Sequence, residues 1–314
     1  MEVVFLGTGG AIPTANRMHP AILVMHQGLH ILLDAGEGTQ IQFDRARIGV
    51  NKRMLIFITH AHADHCLGLP GLLLRLSLLG RLAPLAIYGP KELVDFVRAG
   101  VATINLHTHF ETTVYPILPG HEVTINDLVI RSFEVQHHGP ALGYQIKHER
   151  PTGEFLPERA ISLGVPRGPL WRELASGVSI RLDDGRVVTP AEVTASRPSP
   201  IKIVYSGDSR PCAGLREAAR SADLFICESM FSSEHQKEAE ERGHMTGVEA
   251  AQIASECGVK TLVLTHLSPR YDLVKGRPVL EEARAVFPNS MLARDLMRLR
   301  VDRNGVALLD GGIQ

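Results

Sequence analysis

Residues 54–65 read MLIFITHAHADH, an apolar run that stops at Thr59 and is followed within six positions by His60, His62, Asp64 and His65. No other stretch constrains the fold as tightly. A run this apolar is the pattern of a strand buried on both faces. Beyond such a strand end, alternate residues keep pointing the same way, so His60 and His62 converge. Asp64 and His65 then fall in a tight turn before the helix that GLPGLLLRL begins. The carboxyl end of a strand is where layered α/β proteins keep their sites. A lone histidine is usually a satisfied core residue. Several neutral imidazoles and a carboxylate in one loop are lone-pair donors suited to Zn²⁺ and its neighbours.

A centre with two ions needs more donors, and they belong at other strand ends. Three segments offer them: VQHHG supplies His137 or His138, IVYSGDS supplies Asp208, and LVLTH supplies His266. Each follows an apolar run, as His60 does. Taken singly, a strand-terminal Asp or His is commonly a cap or turn residue. Four such ends in one chain make a shared site the better reading.

The rest of the chain supports a layered framework. Val- and Ile-rich runs (EVVFLG, HILLDAG, LAIYG, LVIRSFEV, LFICES, TLVLTH) alternate with helical patterns at Pro90–Arg98, Gly214–Ser221, Thr246–Cys257 and Val279–Val286. Early strands follow one another without helices, which implies a mixed sheet or two sheets flanked by helices. The 314 residues suffice for a sizeable core. With 33 basic and 34 acidic residues, no nucleic-acid partner follows from net charge; it would need a local basic patch. No signal peptide and no membrane span are expected, and the scattered cysteines Cys66, Cys212, Cys227 and Cys257 read as reduced thiols. Residues 147–187 stand apart. They are rich in Gly, Pro and charge, hold the sole tryptophan, Trp171, and carry one brief helical pattern at Pro157–Leu163, so they read as an insertion that projects from the framework.

With these residues in view, the chain resembles the metallo-β-lactamase superfamily and, within it, the tRNase Z family, the endoribonucleases that trim tRNA precursors at their 3′ end. The resemblance rests on FLGTGGAIP, LLDAGEGTQ, THAHADHCLGLPGLL, VQHHGPALGY, LGVPRGPLW, YSGDSRP, GHMTGVEAA, LTHLSPRY and LARDLMRLRV, in that order, and it covers nearly the whole chain. It implies an α/β fold, the αβ/βα sandwich of two stacked mixed β-sheets flanked by helices. This would be one domain over 1–314 with 147–187 as a protruding, flexible tRNA-binding arm.

The resemblance also implies two Zn²⁺ ions per chain, with Mn²⁺ or another divalent ion as an alternative. His60, His62 and His137 would hold one ion, Asp64, His65 and His266 the other, and Asp208 would bridge them. His137 follows the family spacing, with His138 as the alternative. A hydroxide bridging the ions would attack the phosphorus. Asp64 would orient it and accept its proton, and His244 in GHMT would serve the leaving ribose oxygen. Glu228 in FICESMF is a candidate to orient His244. Read from the residues alone, His244 is a residue just before a capping box, TGVE. Cleavage would leave a 3′-hydroxyl on a tRNA ending at the discriminator nucleotide and a 5′-phosphate on the trailer.

Substrate selection is expected from the arm, through Arg150, Arg159, Arg167, Gly168, Pro169 and Arg172, and from Arg17 near the amino terminus. Trp171 either stacks on RNA or packs the arm's own small core. Family members act as homodimers with the arm working in trans, and a cytoplasmic location with no membrane contact follows. The chain departs from some relatives at Ala15 and Met18, where a Pro-x-Lys-x-Arg-Asn loop has Lys and Asn, and at Cys227, Ser229 and Met230, where a His-Glu-Ala-Thr loop stands. The nearest rivals are an arylsulfatase or cyclic-nucleotide phosphodiesterase of the same fold, and a non-catalytic RNA-binding subunit.

Overall fold

The computed structural model describes residues 1–149, 152–196 and 199–309. Its strands, in chain order, are β1 (Glu2–Gly7), β2 (Ala21–His26), β3 (Leu29–Leu33), β4 (Arg53–Phe57), β5 (Leu85–Gly89), β6 (Thr112–Pro116), β7 (Glu122–Ile125), β8 (Leu128–Glu134), β9 (Leu142–His148), β10 (Ile180–Arg181), β11 (Val187–Val188), β12 (Ile201–Tyr205), β13 (Leu224–Glu228), β14 (Thr261–Thr265), β15 (Ser290–Leu292), β16 (Arg298–Asp302) and β17 (Gly305–Leu308). The helices are α1 (Thr39–Arg45), α2 (Ala63–Cys66), α3 (Gly68–Leu78), α4 (Lys91–Ile104), α5 (Pro157–Ser162), α6 (Pro169–Ala175), α7 (Pro190–Val193), α8 (Ala213–Ala219), α9 (Gln236–Glu241), α10 (Gly247–Glu256) and α11 (Arg277–Val286).

Two large mixed sheets result. One runs β17-β16-β1-β2-β3-β4-β5-β6, and the other β15-β14-β13-β12-β9-β8-β7. In the first sheet, β1, β2, β16 and β17 pair antiparallel, as short connections permit, whereas β3 through β6 run parallel across intervening helices. In the second, β12 through β15 are parallel. The central strands are buried on both faces, which explains why they read as apolar runs without alternation. One face of the first sheet packs Leu32, Ile56 and Ile58 against Leu69, Leu72 and Leu76 of α3. In the second sheet, Phe225, Cys227 and Leu264 pack against Ala250, Ile253 and Ala254 of α10. The opposite faces meet where Phe57 and Tyr144 rings lie 5.2 Å apart and the Tyr144 hydroxyl donates to the Ile58 carbonyl at 2.7 Å.

The chain forms two compact units. The first takes in Met1–Glu122, Ile130–Ile146 and the chain from Lys202; the second takes in Val123–Val129 and Lys147–Ile201. The insertion expected at 147–187 therefore lies inside a wider unit. That unit carries two helices, α5 and α6, where the sequence reading saw one, plus the β10–β11 hairpin and α7 behind a capping box of Thr189 and Glu192. It has a core of its own, formed by Ala160, Val165, Leu174, Ile180, Val188 and Val193. Trp171 packs against that core, with its indole N–H donated to the Val165 carbonyl at 3.2 Å.

Candidate active site

The segments that carry the candidate metal ligands all leave strand ends in the first unit, whereas His244 follows α9. His60 lies three residues past β4, His137 three past β8, Asp208 three past β12 and His266 one past β14; Glu228 is the last residue of β13. Their side chains meet. The donor atoms of His60, His62 and His137 lie within 4.8 Å of one another, as do those of Asp64, His65, Asp208 and His266. Asp208 stands between the two groups. Its Oδ2 is 3.8 Å from His60 Nε2, 4.0 Å from His137 Nε2 and 3.1 Å from His65 Nε2, and its Oδ1 is 3.3 Å from His266 Nε2.

The histidines are held so that lone pairs face inward. Thr59 Oγ1 lies 3.0 Å from both Asp34 oxygens and donates its one proton there, so it accepts from His60 Nδ1–H at 2.9 Å. His65 Nδ1–H donates to Asp34 Oδ2 at 2.8 Å, and His137 Nδ1–H donates to the Gly243 carbonyl at 2.9 Å. Each imidazole thus presents its Nε2 to the cluster. His62 turns its Nδ1 inward, 2.9 Å from His60 Nε2 and 3.1 Å from His137 Nε2. Nitrogens this close cannot all carry protons, and a cation between them resolves the repulsion. In the second group, Asp208 Oδ1 is buried with no hydrogen-bond partner, a cost a cation also removes. The two groups of donors are compatible with divalent metal binding.

Burial would lower the His65 imidazole, yet Asp208, Asp34 and Asp64 raise it well above its ordinary value. Burial pushes Asp208 up, but His266 and His65 hold it well below the usual carboxylate range. Burial and the neighbouring His65 drive His60 well down. Asp64 is held down in the same way, against burial, chiefly by His65 and His266. Its Oδ2 also accepts the Ala11 N–H at 3.0 Å.

His244 sits beside both groups, its ring centroid 5.2 Å from that of His137 and 5.3 Å from that of His266. Its Nδ1 is 3.0 Å from Glu228 Oε1. Burial lowers it, but Glu228 and Asp208 push it up to about 9. Thr246 does form the capping box with Glu249 that the sequence pattern TGVE implies.

Of the adjacent pair, only His137 turns toward the cluster; His138 Nε2 lies 3.3 Å from the Glu241 carbonyl. Arg17, expected among the RNA contacts, is buried. Its guanidinium donates to Thr8 Oγ1 and the Ala293 carbonyl, both at 2.7 Å, and lies 3.6 Å from Asp272. A guanidinium spent on internal acceptors ties loops together instead of facing solvent. Arg159, Arg167, Gly168, Pro169 and Arg172 are exposed in the second unit, with Arg167 5.7 Å from the Trp171 ring. Arg150 lies outside the described residues.

The sequence reading gave no role to Asp34, the residue the site depends on most for support. It is fully buried and accepts from Thr59 N at 2.7 Å, Tyr205 OH at 2.8 Å, Thr59 Oγ1 and His65. Its φ of +60° and that of His266, +58°, are left-handed conformations that cost a non-glycine residue roughly 1 kcal/mol or more. The available signal was a carboxylate directly after the apolar run HILL, the same placement as Asp208 after IVYSG. Gly10 is also required, since a Cβ there would lie 2.6 Å from the His266 ring.

The two sheets and the strand-end cluster define the class: an α/β enzyme of the metallo-β-lactamase fold. A metallo-beta-lactamase fold protein from Bacillus subtilis superposes with a TM-score of 0.68 at 20% identity, over 95% of this chain and 97% of that one. Residues 1–149 match the family model of the Anti-Pycsar protein Apyc1. Over nearly its whole length the chain is similar to Ribonuclease Z of Methanosarcina acetivorans, at 42% identity over 96% of this chain and 98% of that protein. The short form of human tRNase Z superposes with a TM-score of 0.69 at 26% identity, over 96% of this chain and all of that one. The chain belongs to the ribonuclease Z family, and it is accordingly a nuclease.

Proposed function

We propose that this chain removes 3′ trailers from tRNA precursors, cutting after the discriminator nucleotide and leaving a 3′-hydroxyl on the tRNA and a 5′-phosphate on the trailer. What supports the reading most is the convergence of seven donor side chains from four strand ends, in a chain 42% identical to a Ribonuclease Z over 96% of its length. His60, His62 and His137 would hold one divalent ion and Asp64, His65 and His266 a second, with Asp208 shared; nitrogen and carboxylate donors of this kind favour zinc. Such ions, when bound, lower the pKa of water and neutralise charge on phosphoryl oxygens.

The chain's own groups do the rest. Asp64, its side chain 16% exposed against 3% for Asp208, is the carboxylate open to substrate, and it orients the attacking water and takes its proton. His244, cationic on its Glu228 partner, gives a proton to the departing ribose 3′-oxygen. Glu228 fixes the ring and keeps it charged through a buried, charge-assisted hydrogen bond.

Substrate choice lies with the second unit. Exposed Arg159, Arg167 and Arg172 around the Gly168–Pro169 turn, and Arg150, would grip folded RNA through its phosphates and shape. The reading includes a homodimer in which one protomer's arm serves its partner, and a cytoplasmic location; among the described residues no helix is long and apolar enough to cross a membrane. Light scattering tests the dimer.

The decisive experiment incubates a 3′-extended tRNA precursor with the wild type and with Asp64→Ala, and maps the product ends. One cut after the discriminator base, absent in the variant, is the expected result. Cleavage elsewhere, or products with 2′,3′-cyclic ends, would sink the reading.

A further inference from the structure

Arg210 stands two residues past Asp208 and takes part in none of the roles above. Its backbone N–H donates to the Gln136 carbonyl at 2.7 Å, which joins the Asp208 loop to the loop carrying His137. Its guanidinium reaches the other way. Nη1 donates to the His244 carbonyl at 2.6 Å, and Nη2 pairs with Glu249 at 3.1 Å and Glu240 at 3.5 Å. The side chain is only 17% exposed. One residue therefore ties together three segments distant in sequence, each of which brings a side chain to the site.

The His244 peptide is held at every polar atom. Its N–H donates to the Ala239 carbonyl at 2.8 Å, and its carbonyl accepts from Arg210. The preceding Gly243, with φ of +74°, offers its carbonyl to His137. Glu228 Oε1, which lies against His244 Nδ1, also accepts the Ser209 N–H at 2.8 Å, next to Arg210 in the chain. The ring orientation is thus set at two points, by Glu228 on the imidazole and by Arg210 on the backbone. A charge-assisted bond from a guanidinium to a buried carbonyl is short and directional, and a planar fork that also engages a carboxylate resists rotation.

We propose that Arg210 is a positioning residue for the cleavage reaction. It clamps the His244 backbone and the Glu249 cap to the Asp208 loop, and so sets where the His244 imidazole meets the leaving ribose oxygen. This rests on the reading of His244 as the proton donor. A purely architectural Arg210 would hold the loops together without a selective effect on the chemical step.

The test compares Arg210→Ala, Arg210→Lys, His244→Ala and the double variant Arg210→Ala/His244→Ala as metal-loaded proteins, with a 3′-extended tRNA precursor, metal content per chain and melting temperature measured on each. Arg210→Ala should lower kcat by about 10- to 100-fold with KM within about twofold of the wild type, the pattern of a lost transition-state interaction. Metal content should be unchanged. Arg210→Lys, which keeps the charge but not the fork, should recover part of the loss. The double variant should be no slower than His244→Ala alone, since residues acting through one group are not additive. In a crystal structure of Arg210→Ala the 3.0 Å His244–Glu228 separation should open.

A wild-type kcat in Arg210→Ala, a multiplicative loss in the double variant, or loss of bound metal would each overturn the proposal. Should Arg210→Ala fail to fold, the same cycle run with Arg210→Lys decides it. If His244→Ala cleaves at full rate, the proton-donor reading falls and this inference with it. If His244→Ala is slow and Arg210→Ala is not, only this inference falls.

Discussion

His65 and Arg172 illustrate two ways of holding a candidate functional side chain. His65 is wholly buried, with one ring nitrogen on Asp34 and the other 3.1 Å from Asp208, and it sits in the short helix α2, where its carbonyl accepts the Ala35 N–H. Arg172 is exposed on a seven-residue helix that rests on a core of a few small apolar side chains. The first arrangement suits chemistry, where a misplacement of about 1 Å costs about 100-fold in rate. The second suits capture of a large polyanion, where phosphate contacts tolerate slack and act additively. The difference teaches that the two units are under unlike physical demands, and variants in each should fail in unlike ways.

The largest effect should come from the shared carboxylate. Asp208→Ala should lower precursor cleavage by more than about 10³-fold and reduce bound metal at both groups, measured by elemental analysis alongside end mapping. An active Asp208→Ala would erase the contrast between the two units. Removal of Leu156–Ala175 should come next, with precursor cleavage down about 100-fold while hydrolysis of a small phosphodiester ester is retained. If both activities are untouched, the second unit does not select RNA; if both vanish, it is not separable from the chemistry. Asp34→Asn should weaken metal binding by about 10- to 100-fold by titration calorimetry, because the His65 ring loses its anionic anchor. The smallest effects belong to single arginines. Arg159→Ala or Arg172→Ala should weaken precursor binding by only a few fold, about 1 kcal/mol or less, and reduce the salt slope of log K by about 1. A collapse of affinity from one such change would mean that the second unit reads its ligand by fixed geometry after all.

Much of this site was legible before any fold was known. MLIFIT, IVYSG and LVLT each announce a strand by local composition, and the donor that follows each is placed by the chain itself within a few residues. Where the sequence reading fell short, the missing information was not local. β9 was missed because LGYQIKH mixes Gly, Gln and Lys into a strand, and neither its composition nor its alternation stands out. α6 was missed because PLWRELA is a single short turn pair that only the core around Leu174 stabilises. Arg17 is expected to contact RNA because it stands at the Arg position of the Pro-x-Lys-x-Arg-Asn loop of some relatives; its burial beside Thr8, Ala293 and Asp272 depends on segments remote in the chain.

What the sequence by itself determined is the inventory and its placement along the chain: imidazoles and carboxylates at the carboxyl ends of apolar strands, in an order that marks the family. The reason is that strand formation and the reach of a strand-end loop depend on neighbours a few residues away. Tertiary structure alone decided which donor is turned inward, His137 rather than His138. It also decided that Asp34 props His65 and Thr59, and that Arg210 joins the His137, Asp208 and His244 segments. Those choices depend on hydrogen bonds of 2.6–2.9 Å between residues 25 to 106 positions apart, which form only once two sheets have brought their ends together.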